Sequence, residues 1–275
     1  MIACGDAVLK GRIFVKIIDS HTHIYPEAIA GKAAASIRDF YSLGDEEIEG
    51  SLAELLRRGD AAGIDSFMVL PVGMKPAQVH SVNSFILEQM EKEPRITGLG
   101  TVHAAMEDLE AEVQWILDSP LRGIKMHPDF QRFPIDDPRL FPAYEMLRGK
   151  KPVMFHTGDP RYDFSHPARV RRLLELFPGL QVIGAHFGGY SAYEEAYEAL
   201  RDTDCVFDVS SSLMFLPEGM AERYINGYGA ERMMFGSDFP LWDPGVEVRR
   251  FLELKLTQQQ REQIAHKTAE QVFSL

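Results

Sequence analysis

A (β/α)8 barrel is the fold class this 275-residue sequence predicts. Three observations carry that prediction. Short apolar runs rich in β-branched residues, Phe and Met alternate with longer amphipathic stretches, the order of parallel strands joined by right-handed helical crossovers. The runs are near-continuously apolar, as in strands buried on both faces. There are eight of them, and eight such units in about 250 residues suit a closed barrel better than an open doubly wound sheet.

The expected strands, in order, are "FVKIID" (14–19), "SFMVLP" (66–71), "ITGLGTV" (96–102), "GIKMH" (123–127), "PVMFH" (152–156), "QVIGAH" (181–186), "CVFDVS" (205–210) and "RMMFGSD" (232–238). Helices are expected between them, for example "SLAELLRRGDAAG", "PAQVHSVNSFILEQMEK", "DLEAEVQWILDS" and "PARVRRLLELF". The last carries Pro167 at its start and Pro178-Gly179 just beyond its end, the usual helix punctuation. The segment "LTQQQREQIAHKTAEQVFSL" reads as a final amphipathic helix packed on the barrel. One spacing departs from the rest: the first two strands start at residues 14 and 66, and the excess is "IYPEAIAGKAAASIRDFYSLGDEE". Following a strand, that loop belongs to the catalytic face of a barrel, as a lid or substrate cap or else as an extra surface helix. No linker, repeat or low-complexity segment interrupts the chain, so residues 1–275 are expected to form a single barrel domain. "GLGTVHAAM" lacks the third glycine of a dinucleotide fingerprint, which argues against a Rossmann reading.

Composition narrows the function. Hydrophobic residues make up 45% and charged residues 25%, ordinary for a soluble globular protein. The formal net charge of −12 repels a phosphate backbone or an anionic membrane, so neither nucleic acid nor membrane is expected as a partner. The two cysteines, Cys4 and Cys205, form no metal or redox motif and suit a reducing cytosol. No apolar run approaches the ~20 residues of a membrane span, and "MIACGDAVLKGRIF" has no signal-peptide core. A cytoplasmic protein acting on a small molecule is the expectation.

The placement of polar residues is more specific. Side chains alternate along a strand, so His21 and His23 in "DSHTH" project to one side, at the barrel mouth if this is a carboxyl end. His156, His186 and Asp238 end the fifth, sixth and eighth expected strands. Catalytic barrels draw their polar groups from such ends. Three imidazoles and a carboxylate on one axis make a site for Zn2+ or another borderline divalent ion, with His21, His23, His156 and Asp238 as ligands. Asp238 also has the chemistry of a base, and His186 can orient a nucleophile or polarise a carbonyl. Taken singly, Asp238 could instead cap the turn "SDFP" and His186 could be a buried histidine bonded to backbone. Lys125 and His127 share a side near the fourth strand end, as pocket or substrate-binding groups or as purely structural ones. Asp19 is expected to accept from a metal-bound histidine ring. His80, His103, His166 and His266 are read as ordinary packing or surface residues. Aromatic loop residues such as Tyr25, Phe130, Tyr190 and Trp242 suit a small organic ligand or simply cover the barrel rim. Arg132 or Arg161 could clamp a substrate carboxylate.

Together "DSHTH", "GIKMHP", "FHTGDP", "GAHFGG" and "FGSDFP", in this order from residue 17 onward, resemble the amidohydrolase superfamily. They are most similar to the amidohydrolase-related branch that includes aminocarboxymuconate semialdehyde and resorcylate-type decarboxylases. The resemblance implies a distorted TIM barrel with one catalytic metal, usually Zn2+ and sometimes Mn2+. It assigns the ion to His21, His23, His156 and Asp238, and a contact with metal-bound water or substrate to His186. In two-metal relatives a fourth-strand lysine is carboxylated as a bridge; Lys125 occupies that place in a sequence that otherwise follows the one-metal pattern. Members often form homodimers.

Two enzymatic readings share these residues, a third being a barrel that keeps metal for stability or sensing. Metal-activated water could hydrolyse a small amide, lactone or ester. Alternatively, metal-dependent non-oxidative decarboxylation could act on an aromatic or unsaturated carboxylic acid. The short chain favours the hydrolase, with the decarboxylase as runner-up.

Overall fold

The computed structural model describes residues 15–44 and 48–275. Cys4, the first residue of the first expected strand and the segment that would hold a leader lie outside the described residues. Eight short parallel strands appear where the sequence places them: β1 (Ile18–Thr22), β2 (Ser66–Val69), β3 (Ile96–Gly98), β4 (Ile124–Met126), β5 (Val153–Phe155), β6 (Val182–Gly184), β7 (Val206–Asp208) and β8 (Met233–Met234). Each is shorter than its apolar run.

The strands form two ladders, β1-β2-β3 and β4 through β8 in sequence order. Irregular contacts close the ring. Gly100 N–H donates to Gly123 O at 2.9 Å, and Lys125 N–H donates to Gly100 O at 2.7 Å, joining β3 to β4. On the other side Ser20 N–H donates to Phe235 O at 2.9 Å, and Asp238 N–H to His21 O at 2.8 Å. The result is a distorted (β/α)8 barrel, as predicted.

Helices follow the strands: α1 (Ala30–Phe40), α2 (Leu52–Ala62), α3 (Val79–Lys92), α4 (Leu109–Asp118), α5 (Pro128–Gln131), α6 (Phe141–Leu147), α7 (Pro167–Leu176), α8 (Tyr193–Leu200), α9 (Met220–Tyr228) and α10 (Pro244–Glu253). Local chemistry sets their ends. The Ser51 hydroxyl caps α2 through Glu54 N–H, and Gly63 stops it in a left-handed conformation with φ 73°. Pro167 opens α7 at its first turn.

The final stretch is one continuous helical run, as expected, with a π-helical turn inside it. A Thr257–Gln260 capping box starts α11 (Gln258–Glu262), a π-helical turn spans Gln263–Lys267, and α12 (Thr268–Phe273) completes it. Phe235 N–H, leaving β8, donates to Ile264 O at 2.8 Å within the π turn. From α12, Ala269, Val272 and Phe273 join Ile18, Met68, Met154, Ile183 and Met234 in a core inside the barrel. A larger core fills the layer between strands and helices. Burying each Phe or Leu of these layers stabilises the fold by about 1.5–3 kcal/mol before entropy is counted.

The long β1–α2 connection settles the choice left open by the sequence. Helix α1 lies across the barrel mouth, and Ala33, Ile37 and Phe40 face the cavity below it. Its buried Arg38 donates to Gly44 O and, at 2.9 Å, to Leu241 O after β8. The helix is a cap held to two neighbouring loops.

Candidate active site

His21, on β1, directs its Nε2 into the mouth because Nδ1 is engaged behind it, 2.9 Å from Asp208 Oδ2. His23 follows the strand and is held the same way, Nδ1 donating to Leu70 O at 2.6 Å. His186 donates Nδ1–H to Ser210 O at 3.0 Å. In each neutral ring the hydrogen therefore sits on Nδ1 and leaves Nε2 with a bare lone pair. His156 is reversed: its Nε2 donates to Gly158 O at 3.1 Å, so Nδ1 is bare. Burial lowers the pKa of His156 and His186, and that of His21 to about 3, which keeps all three neutral.

These lone pairs converge. Nε2 of His21 and Nε2 of His23 lie 3.4 and 3.3 Å from Asp238 Oδ1. His156 Nδ1 lies 3.1 Å from His186 Nε2. His21, His186 and Asp238 form one compact trio, each with a ligand atom within 4.8 Å of the others, while His156, expected to share the ion with His21, His23 and Asp238, falls in a second trio with Asp129 and Asp159. Burial opposes the charge of Asp238, but its polar surroundings hold its pKa well below the usual range, and Ser211 Oγ donates to its Oδ2. His21 Nε2 and His23 Nε2 stand beside Asp238 Oδ1, and His156 Nδ1 faces His186 Nε2, a donor set that suits a divalent transition ion next to the Lys125 amine. The residues present fit a metal. His186, expected only as a catalytic group, also stands inside this donor shell.

The backbone that aims these groups is unusual. His186 and Phe187 have φ of 59° and 55°, and Asp238 has 61°. Left-handed residues other than glycine cost roughly 1–2 kcal/mol each. Asp208 helps to hold them, its Oδ1 accepting the backbone N–H of His186 at 3.1 Å and of Ser210 at 3.0 Å. Asp208 is not among the residues expected from sequence, although it ends β7 and the strand-end rule that finds the other five also covers it. The support expected from Asp19 is different in kind. Asp19 Oδ1 accepts backbone N–H groups of Ser237 (2.8 Å) and His21 (3.3 Å), tying β1 to the loop after β8, while Asp208 holds the ring. Gly236 is required here, since a Cβ on it would lie 2.8 Å from that of His21.

Lys125 is buried, with Nζ 3.4 Å from His21 Nε2. Burial brings its pKa down to about 8. His127 stacks on His156 with ring centroids 4.0 Å apart. Both line the same cavity as the donors, about 430 Å3 in volume and walled largely by apolar and aromatic side chains. Arg132 lines it too, its guanidinium 4.4 Å from the Tyr162 ring centre. Arg161, expected to bind substrate, does not line it. Asp159, two positions earlier, takes its fork at 2.9 and 2.6 Å, and its remaining nitrogen reaches Phe40 O at the end of the cap. A planar guanidinium paired in that way has little left for a ligand; Arg161 fastens the cap instead. Asp129 is also absent from the sequence expectations, yet it lines the cavity, is wholly buried, and has neither carboxylate oxygen hydrogen-bonded. Its position one residue inside α5 offers no periodic signal.

Comparison with known proteins bears on fold and family. The model of the Amidohydrolase family matches residues 18–275. A search of curated protein sequences finds no match. Among solved structures, an uncharacterised TIM-barrel protein from Bordetella bronchiseptica aligns at TM-score 0.78 and 24% identity over 94% of this chain and 99% of that one. Decarboxylases of aromatic acids recur among the matches. One, dihydroxybenzoic acid decarboxylase from Polaromonas sp. JS666, with bound manganese and the inhibitor 2-nitroresorcinol, aligns at TM-score 0.73 and 16% identity over 95% and 97% of the two chains. A probable 2-pyrone-4,6-dicarboxylic acid hydrolase from Acinetobacter baumannii aligns at TM-score 0.68 and 15% identity over 94% and 100%. No described helix is long and apolar enough to cross a membrane.

Proposed function

The chain is an enzyme of the amidohydrolase family, and from that premise we propose that it is a metal-dependent decarboxylase of a small aromatic or unsaturated carboxylic acid. Hydrolysis of an amide, lactone or ester, favoured from chain length alone, becomes the second reading. The observation that carries the proposal is the cavity. Convergent donors and a buried lysine lie at its floor, apolar and aromatic walls surround them, and a cap lies over part of the mouth. Such a site suits a flat acid, and its apolar walls favour a reaction that, unlike hydrolysis, consumes no water. The recurrence of decarboxylases among the structural matches supports it.

His21, His23, His156 and Asp238 would hold the ion, with His186 beside them. The mixed imidazole–carboxylate set suits zinc and equally the manganese found in the Polaromonas match. Bound there, the ion supplies a Lewis acid that draws electron density from the substrate's oxygens. Lys125 and Arg132 offset the charge of the entering carboxylate. Asp238, ionised, accepts a proton from a substrate hydroxyl and returns it to the carbon that loses CO2. The carbon–carbon bond breaks, its electron pair remains on that carbon, and a carbon–hydrogen bond replaces it. Ser211 Oγ donates to Asp238 Oδ2 at 2.5 Å and accepts from Trp242 Nε1 at 2.8 Å, which fixes the carboxylate for this transfer. We assign Lys125 to substrate contact rather than to a carboxylated bridge: its Nζ lies 3.4 Å from His21 Nε2 and its side chain lines the cavity.

The test is metal analysis of the purified protein followed by incubation with hydroxybenzoates, lactones and amides, recording CO2 and acid release separately. Release of CO2 from a hydroxybenzoate supports the proposal. Lactone or amide turnover without CO2 from any acid returns the assignment to hydrolysis.

A further inference from the structure

The cap brings to the site a polar group whose hydrogen has no acceptor in the protein. Tyr41 follows α1 directly, and its phenol oxygen reaches the cavity floor, 2.9 Å from His127 Nε2 and 3.4 Å from His156 Nε2. The direction of these contacts follows from what the other ring nitrogens do. His127 Nδ1 accepts the backbone N–H of Phe130 at 3.4 Å, as the cap of α5, so the hydrogen of the neutral ring is on Nε2. His156 Nε2 faces the Gly158 carbonyl at 3.1 Å, and a carbonyl only accepts, so that nitrogen carries a hydrogen as well. Both Nε2 atoms thus carry a hydrogen, that of His127 directed at the phenol oxygen and that of His156 at Gly158 O. The hydroxyl hydrogen of Tyr41 can point at neither. Among the described residues no carboxylate or carbonyl lies within hydrogen-bond distance of it. The open direction is the cavity, which Tyr41 lines together with Lys125 and Arg132. A phenol is protonated at neutral pH and so is a donor.

We infer that Tyr41 is a substrate-binding residue whose hydroxyl donates to an anionic oxygen of the bound acid, so that the cap, and not only the strand ends, selects for a carboxylate. This rests on the reading of the substrate as a small carboxylic acid. It also gives α1 a chemical role, since the donor is in place only when the cap lies over the mouth, where Arg38 and Arg161 fasten it.

The experiment is direct binding, by calorimetry, to the full chain loaded with Mn2+. The probes are 2,6-dihydroxybenzoate and resorcinol, the same ring without its carboxylate. Tyr41→Phe removes the donor and keeps the ring. A hydrogen bond to a charged group is expected to make the carboxylate probe bind about tenfold more weakly or worse in this variant. Resorcinol affinity and metal content should stay within roughly twofold of the unaltered protein, inside the spread of ordinary surface changes. Equal loss for both probes, no loss for either, or failure of the unaltered protein to bind 2,6-dihydroxybenzoate overturns the assignment. A parallel measurement of CO2 release by the unaltered protein separates the two claims. Selective loss in the variant without CO2 release sinks the decarboxylase reading alone, whereas CO2 release with unchanged binding in the variant sinks Tyr41 alone.

Discussion

His156 Nδ1 and His186 Nε2 face each other at 3.1 Å, and neither has a hydrogen to offer, because each ring donates its N–H to a backbone carbonyl on the far side. Two lone pairs at that distance repel. A shared cation removes the repulsion, and so the pair is expected to couple metal binding to stability. Purified protein should contain about one equivalent of a divalent transition ion. Chelation should lower the melting temperature by several degrees, and re-addition of Zn2+ or Mn2+ should restore it. An unchanged melting curve after verified metal removal would contradict this account.

His156→Ala and Asp238→Asn should separate holding the ion from using it. The first removes a nitrogen donor, and stoichiometric metal should be lost on gel filtration. The second keeps an oxygen donor but cannot take up a proton. Metal content should survive while kcat falls by about a hundredfold or more, the range of general acid–base contributions. Full turnover by the asparagine variant rules out the base role.

Asp208 does not line the site cavity, yet it fixes the ring of His21 and the backbone of His186. Asp208→Asn should reduce metal affinity by about 10- to 100-fold, the usual cost of losing such an outer partner. Competition with a chromophoric chelator reads this directly; affinity equal to that of the unaltered protein would leave Asp208 without the assigned role.

Gly158 is left-handed, φ 75°, and a Cβ there would lie 2.6 Å from Tyr190 O. Its carbonyl is the one that sets the His156 hydrogen. Gly158→Ala should destabilise the fold by about 2 kcal/mol or more, because strain and clash act together. Denaturant unfolding measures it, and a midpoint unchanged from the parent would refute the packing argument.

Glu247, on α10, is fully buried and has one oxygen without a partner. Burial raises its pKa to about 7, with Arg250 only partly offsetting it. A carboxyl whose folded pKa is raised favours the folded state below the ordinary value near 4.5, and that contribution is lost as pH rises through about 7. Glu247→Gln should therefore stabilise the protein at pH 8, on the order of 2 kcal/mol, and have little effect at pH 4. Melting curves at the two pH values decide it; a larger gain at pH 4 would reverse the sign.

Periodicity and strand-end chemistry are readable in one dimension. Eight apolar runs, the approximate course of the helices and the gathering of His21, His23, His156, His186 and Asp238 all follow from local rules, since side-chain alternation and barrel topology carry a strand end to one common face. Asp208 is equally within reach of those rules. What requires three dimensions is everything set by contacts between distant segments. Arg161 reaches Phe40 O and fastens the cap, while Arg132 reaches the cavity, and only the folded chain assigns those two ends. The left-handed turns at His186 and Asp238 have no local signature, because long-range bonds rather than residue type hold them there. Which nitrogen of each imidazole is bare depends on partners up to 187 positions away, as between His21 and Asp208. The Tyr41 hydroxyl likewise has meaning only once α1 has been folded back over the mouth.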